Sequence, residues 1–264
     1  MARVVYCGMR LTFLGTGTSM GVPMIGCSCD VCRSPDPHNR RLRTSAFVEV
    51  AGVRLLIDAG PDLRQQALAA GIGHVDAVLL SHAHADHVAG IDDLRPLNFA
   101  RRGHIPLYGS RHTLAAVRER FAYAFDPASS QGSTRPALTL VELDTEPFSI
   151  GGAEIVPVEV EHGGWTIHGF RIGALGYVTD ASAVSEATIA RLCGVDTLVL
   201  NALRHAPHPN HLSIAQAQAL VARIAPRQAW LVHLGHEVDH QQTNAMLPPH
   251  IRLAHDGLMI EVGE

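Results

Sequence analysis

One residue after the apolar run 75–80 come His82, Ala83, His84, Ala85, Asp86 and His87. Three imidazoles and a carboxylate fall within six residues, separated only by alanines. These are the donors that borderline-hard divalent cations take. Side chains of extended backbone point the same way every second residue, so His82 and His84 can converge on one ion while Asp86 and His87 turn toward another. Two adjacent ions can share a hydroxide and hold a reacting phosphoryl or acyl group between them. Seventeen histidines are spread through the chain, but random scatter does not account for an Asp among them at the end of an apolar strand.

Such a cluster needs a rigid frame. Short apolar segments bounded by turn residues predict strands at 11–14, 46–50, 53–57, 75–80, 105–108, 138–143, 153–160, 165–172, 176–179, 197–200, 229–233 and 258–262. Helical periodicity appears at 63–70, 94–99, 114–121, 184–192, 214–224 and 241–247. Segments 46–50 and 53–57 read as a hairpin across Ala51 and Gly52. This mixture predicts an α+β fold of two mixed sheets flanked by helices rather than a doubly wound parallel sheet. Residues 1–264 are expected to form one domain, with 1–8 an extension ahead of the first strand. Residues 126–136, with Ser129, Ser130, Gly132 and Ser133, predict a mobile loop near the site.

Hydrophobic residues make up 47% of the 264, enough for a substantial core. No apolar run approaches the roughly 18 residues that span a bilayer, and the first nine residues lack the apolar centre of a signal peptide. A cytoplasmic location is expected. The net charge of −4 carries no blocks of like sign, which argues against broad electrostatic binding to nucleic acid or membrane. Five cysteines, three of them within six residues, do not form the pattern of a secreted disulfide framework. Cys7 and Cys193 stand alone and read as small apolar residues.

Polar residues also recur just past strand ends: Asp58 after 55–57, His162 after 158–161, Asp180 after 177–179 and His233 after 230–232. Strands sharing a direction would bring them to one rim with His82 to His87. The order Asp58, His82-x-His84-x-Asp86-His87, His162, Asp180, His233 resembles the metallo-β-lactamase superfamily, whose fold is an αβ/βα sandwich with a dinuclear site at one edge. The resemblance runs from about residue 10 to the C-terminus. It implies that His82, His84 and His162 bind one metal, that Asp86, His87 and His233 bind the other, and that Asp180 bridges them. Asp58 would orient these ligands from behind. A carboxylate at the place of Asp180 is typical of the phosphodiesterase and nuclease branches, which argues against a β-lactam hydrolase.

A second donor cluster is Cys27-x-Cys29-x-x-Cys32. Three thiolates on a tight loop need a fourth ligand to complete a tetrahedral zinc site, and His236, three residues beyond His233, is expected to supply it. Four protein ligands make a closed, structural site. The competing reading is a redox pair of Cys29 and Cys32, though nothing nearby resembles a thioredoxin-like unit. The stretch from Phe13-Leu14-Gly15-Thr16-Gly17-Thr18-Ser19-Met20-Gly21-Val22-Pro23 through the cysteines to His233-Leu234-Gly235-His236 resembles the cyclic-phosphate phosphodiesterases of bacterial phosphonate degradation. Gly15, Gly17 and Gly21 suit a close backbone turn under the site, with a phosphate-cradling nest as the alternative. In the resembling enzymes a histidine faces the substrate without binding metal, and His211 in Asn210-His211-Leu212-Ser213 matches it. Its task would be to stabilise the phosphorane or protonate the departing alkoxide, work for a group titrating near neutrality. His205 and His208 are the alternatives.

The expected activity is that of a metal-dependent phosphoric diester hydrolase acting on a small cyclic ribosyl or nucleotide phosphate. A hydroxide shared by two cations would attack phosphorus in line with the leaving oxygen. Expected cofactors are two divalent metals, manganese or zinc, and one structural zinc. The expected partner is a small phosphodiester, with no stable nucleic-acid partner and no membrane, and with a homodimer left open. Arg95 and Asn98 are candidates for phosphate or sugar contact. Two alternatives stand beside this reading. A ribonuclease Z-like tRNA-processing endonuclease needs a basic arm for the tRNA body, which the chain lacks. A non-hydrolytic cofactor-biosynthesis protein, like that of pyrroloquinoline quinone formation, shares the cysteine-rich zinc loop.

Overall fold

Short, largely apolar runs build β1 (Met9–Gly15), β2 (Ser45–Val50), β3 (Val53–Ile57), β4 (Ala77–Leu79), β5 (Ile105–Gly109), β6 (Leu138–Glu142) and β7 (Phe148–Ile150). After them come β8 (Ala153–His162), β9 (Trp165–Ile172), β10 (Leu175–Val178), β11 (Thr197–Asn201), β12 (Gln228–Val232), β13 (Ile251–Leu253) and β14 (Met259–Val262). The helices are α1 (Asp30–Arg33), α2 (Leu63–Ala69), α3 (Ala85–Val88), α4 (Arg95–Arg101), α5 (Arg111–Arg120), α6 (Ala122–Phe125), α7 (Glu186–Leu192), α8 (Ile214–Ile224) and α9 (His240–Met246). This computed structural model describes residues 8–126 and 134–263. The expected extension at 1–8, apart from Gly8, lies outside the described residues together with Cys7, as does the 127–133 part of the expected loop.

The strands form two mixed sheets, ordered β14-β1-β2-β3-β4-β5-β6 and β13-β12-β11-β10-β9-β8-β7. In each, an antiparallel meander passes into parallel strands joined by helical crossovers. The β2–β3 hairpin turns on Ala51 and Gly52, whose φ values of 51° and 76° give the twist that short hairpins require. Leu11, Phe13, Leu55, Phe170, Tyr177 and Val232 fill the space between the sheets. Ile214, Ala217, Leu220, Val221 and Ile224 lay one stripe of α8 on the outer face of one sheet, and Leu63, Val88, Leu94, Leu114 and Val117 do the same on the other. The result is the expected sandwich of two sheets between helices.

Local differences have physical causes. The sequence reading missed β7, β13, α1, α3 and α6, each three or four residues long and too short to display a period. Cys193 is exposed at the C-terminal end of α7 rather than packed as a small apolar residue.

The topology turns the strand ends to one edge. Strands β8 and β10 are both antiparallel to β9, and β10, β11 and β12 are parallel, so β8, β10 and β12 deliver their last residues in one direction. Asp58, Asp180 and His233, just past β3, β10 and β12, all adopt left-handed backbone with φ of 61°, 58° and 58°. That conformation costs an L-residue about 1–2 kcal/mol, and it bends the chain sharply so that the side chain faces back over the edge. Gly60 fits against α3 only because it lacks a side chain: a Cβ there would stand 2.1 Å from the Asp86 carbonyl oxygen. Gly60→Ala is therefore expected to cost about 1–3 kcal/mol and to loosen Asp86. Chemical denaturation measures this, and wild-type stability in the variant would remove the close approach as a constraint.

Candidate metal centre

Alanines between the donors of the 82–87 segment let its chain pass from extended backbone into the short helix α3, whose N-terminal cap is His84. The ligand atoms of His82, His84 and His162 lie within 4.8 Å of one another, and so do those of Asp86, His87, Asp180 and His233. Asp180 also groups with His162 and His211, so it reaches one member of the first group. Its Oδ1 is 3.4 Å from His87 Nε2, and its Oδ2 is 3.2 Å from His233 Nε2. Asp86 Oδ2 lies 3.1 Å from His87 Nε2 and 3.6 Å from His233 Nε2.

Outer partners fix the imidazoles. His87 Nδ1 donates to Asp58 Oδ2 at 2.7 Å, leaving Nε2 to face Asp86 and Asp180. His162 Nδ1 donates to the Asn210 carbonyl at 2.9 Å, while its Nε2 approaches His84 Nδ1 at 3.2 Å. His82 Nε2 is 3.0 Å from the same nitrogen. Two nitrogens bound to one tetrahedral ion at the usual 2.0–2.1 Å stand about 3.3 Å apart, so three ring nitrogens at this spacing suit a shared cation. After Asp180, the Asn201 amide pins Ala181 through both its backbone groups.

The electrostatics point the same way. Burial pushes His82 well down, and nearby His87 adds to it. Burial also lowers His84, with His162 assisting. Burial opposes the charged form of His87, yet Asp180, Asp58 and Asp86 together raise it well above the usual histidine range. Burial raises Asp180, but His233 and His87 more than reverse it and hold the carboxyl well below its ordinary value. His87 Nε2 and both His233 nitrogens are buried without an aligned hydrogen bond among the described residues, although the two Nε2 atoms face carboxylates at 3.1–3.6 Å. Imidazole nitrogens facing buried carboxylates without an aligned bond fit divalent cations, which would satisfy both at once.

His211 lies beside this group, with Nδ1 3.8 Å from Asp180 Oδ2 and no hydrogen-bond partner among the described residues. Burial, with His233 next, pushes it down to about 3. The expected titration near neutrality is thus corrected: burial keeps this imidazole neutral. His205 instead meets Thr243 at 3.4 Å. His208 Nδ1 accepts from the Asn210 N–H, with its ring 5.2 Å from that of His211. The amide of Asn98 is saturated by backbone: it donates to the Gly103 and Ala137 carbonyls and accepts from Ala137 N–H. Arg95 donates to the Thr134 carbonyl and pairs with Asp92. Asn98 therefore braces its helix rather than reaching for substrate.

The cysteines gather as a second group. Cys27, Cys29, Cys32 and His236 place their ligand atoms within 4.8 Å of one another, and His236 Nδ1 is 3.2 Å from Cys27 Sγ and 3.4 Å from Cys29 Sγ. The Cys32 N–H bonds the Cys29 thiol and helps bring it down to about 6, whereas burial pushes Cys32 up to about 11. Three sulfurs and one imidazole suit a tetrahedral zinc ion. Arg41, inaccessible to water, holds the His236 loop in place by donating to the Gly235 and Val238 carbonyls. Gly15 and Gly17 serve close packing: a Cβ would lie 2.0 Å from the Arg43 carbonyl oxygen at the first and 2.8 Å from that of Arg41 at the second. Cys29→Ser is expected to remove tightly bound zinc and lower Tm by about 5 °C or more, the scale of a 2 kcal/mol loss in a chain this long. Full zinc content after gel filtration would sink the assignment.

Known proteins share this architecture. Residues 53–234 match the family described as a Beta-lactamase superfamily domain. The crystal structure of a diphosphatase from the PhnP family is 41% identical, with a TM-score of 0.91, and the alignment covers 97% of this chain and 98% of that one. An octanoyltransferase of Porphyromonas gingivalis is 40% identical over 97% of this chain, which spans about half (52%) of that protein's length. Coenzyme PQQ synthesis protein B of Methylobacterium nodulans is 31% identical, over 73% of this chain and 72% of that protein. The chain belongs to the metallo-β-lactamase superfamily, close to the PhnP family.

Proposed function

We propose that this metal-dependent hydrolase cleaves a small phosphoric diester, such as a cyclic ribosyl or nucleotide phosphate, or the phosphoanhydride between two esterified phosphates. The observation that carries the reading is the position of Asp180, grouped with Asp86, His87 and His233 and also within reach of His162, with His211 at its side and no hydrogen-bond partner for its Nδ1 among the described residues. His82, His84 and His162 would hold one divalent cation and Asp86, His87 and His233 the other, with Asp180 between them. Such a pair lowers the pKa of water and neutralises charge on a phosphoryl group. The protein's own part is geometric. Asp58 and the Asn210 carbonyl fix the histidine tautomers, and the left-handed turns aim Asp180 and His233 across the edge. His211, held neutral, donates an N–H toward the charge that builds on the phosphoryl or leaving oxygen. The diphosphatase relative supports this class, since both bonds yield to in-line attack on phosphorus.

The similarity to the PQQ synthesis protein favours a second reading, a role in cofactor formation without hydrolysis. A complete donor set with His211 beside it weighs toward hydrolysis. The same donors weigh against the acyl transfer named for the twice-longer relative.

Asp180→Asn is expected to abolish hydrolysis of bis-para-nitrophenyl phosphate by the manganese-loaded enzyme while the far-ultraviolet circular dichroism stays unchanged. Undiminished turnover would remove the bridging role. His211→Ala is expected to lower kcat by roughly a hundred- to a thousandfold, the usual loss of one preorganised donor, with metal content intact. Wild-type kcat in that variant would shift the assignment to His208.

A further inference from the structure

The hairpin between β8 and β9 has a two-residue turn, Gly163-Gly164, with φ of 56° and 89°. Positive φ at both central residues is the turn that matches strand twist, and glycine takes it without strain. The closing pair of the ladder is His162 opposite Trp165. Directly opposed residues of antiparallel strands project from the same face, so the hairpin that supplies a candidate metal ligand also sets an indole beside it. The Trp165 ring lies 4.9 Å from that of His84, inclined by 38°, and the His112 ring meets it edge-on at 5.4 Å. Trp165 remains 46% exposed and His112 is exposed as well. The hairpin tip is tightly held, since a Cβ on Gly163 would stand 2.7 Å from the Asn210 side-chain oxygen. Asn210 in turn adjoins His211 and receives the His162 bond.

An indole this open is costly as packing, because much of its apolar surface still meets water. Held at fixed distance from a phosphoryl-binding centre, it is suited to stacking a flat ring. We propose that Trp165, with His112 at its edge, forms the stacking platform for the nucleobase of the substrate, which makes the preferred substrate a nucleotide ester rather than a bare ribosyl phosphate. This rests on the reading of the centre as a phosphodiesterase, and it assigns Trp165 a role in specificity, apart from the chemistry.

Two measurements on the manganese-loaded enzyme test it. The first compares thymidine 5′-(para-nitrophenyl phosphate) with 2-deoxyribose 5-(para-nitrophenyl phosphate), which share a leaving group and a sugar and differ in the base. Wild type is expected to favour the nucleotide ester. Trp165→Leu is expected to cut that preference about tenfold, chiefly through KM, and Trp165→Phe to keep most of it. The second follows tryptophan fluorescence. The chain has two tryptophans, and Trp230 is half-buried against the intersheet core, so quenching by adenosine monophosphate and not by ribose 5-phosphate, lost in Trp165→Phe, would report Trp165. Equal preference in wild type and Trp165→Leu, or equal quenching by both phosphates, overturns the platform. If neither ester is hydrolysed while the base-dependent quenching persists, the platform stands and the phosphodiesterase reading falls.

Discussion

The Asp58 carboxylate is shut off from water and accepts three hydrogen bonds, from Ser81 N–H at 2.8 Å, Ser81 Oγ at 2.7 Å and His87 Nδ1 at 2.7 Å. A buried charge persists only when its lone pairs are filled and an opposite charge stands near. Asp58 meets both conditions by binding three segments together: the turn after β3, the end of β4 and helix α3. His87 cannot rotate without leaving that carboxylate uncompensated, so its other nitrogen stays aimed at Asp86 and Asp180. The orientation of His87, and with it of the donors that face its Nε2, descends from this contact. A single acid in the wall between strand and helix decides which imidazole nitrogen remains free.

The opposite side of the edge is positioned by cross-linking rather than by charge. Leu234, next to His233, exchanges backbone hydrogen bonds with Thr16 and Thr18, and two residues further on His236 meets the cysteines. The glycine-rich opening, the cysteine loop and the turn after β12 thus form one braced unit, with Arg41 beneath it. The two donor clusters are mechanically connected, since only Leu234 and Gly235 separate His233 of one from His236 of the other.

Much of this was legible in the chain. Donors packed at two-residue spacing, and acids or histidines standing just past apolar runs, announce a metal edge, because strands hold spacing and strand ends hold direction. The helix α8 and the β2–β3 hairpin were readable for the same reason, each having a period or a turn signal of its own. The elements that escaped were those of three or four residues, too short to repeat a period, such as β13 and α1. Roles set by environment escaped as well. Nothing in the letters around His211 shows that burial keeps it neutral, and Asn98 resembles a polar contact residue until the Gly103 and Ala137 backbone is seen to occupy its amide. Trp165 looks like an ordinary strand residue until the ladder pairs it with His162.

The left-handed backbone at Asp58, Asp180 and His233 restricts what evolution or a designer can write at these three places. Asparagine, aspartate, histidine and glycine visit that region readily, whereas β-branched side chains are outliers there. A lineage that drifts away from metal chemistry at this edge is therefore channelled through a short alphabet of small polar residues. Swapping in bulky hydrophobic ones would require the strand ends themselves to be rebuilt.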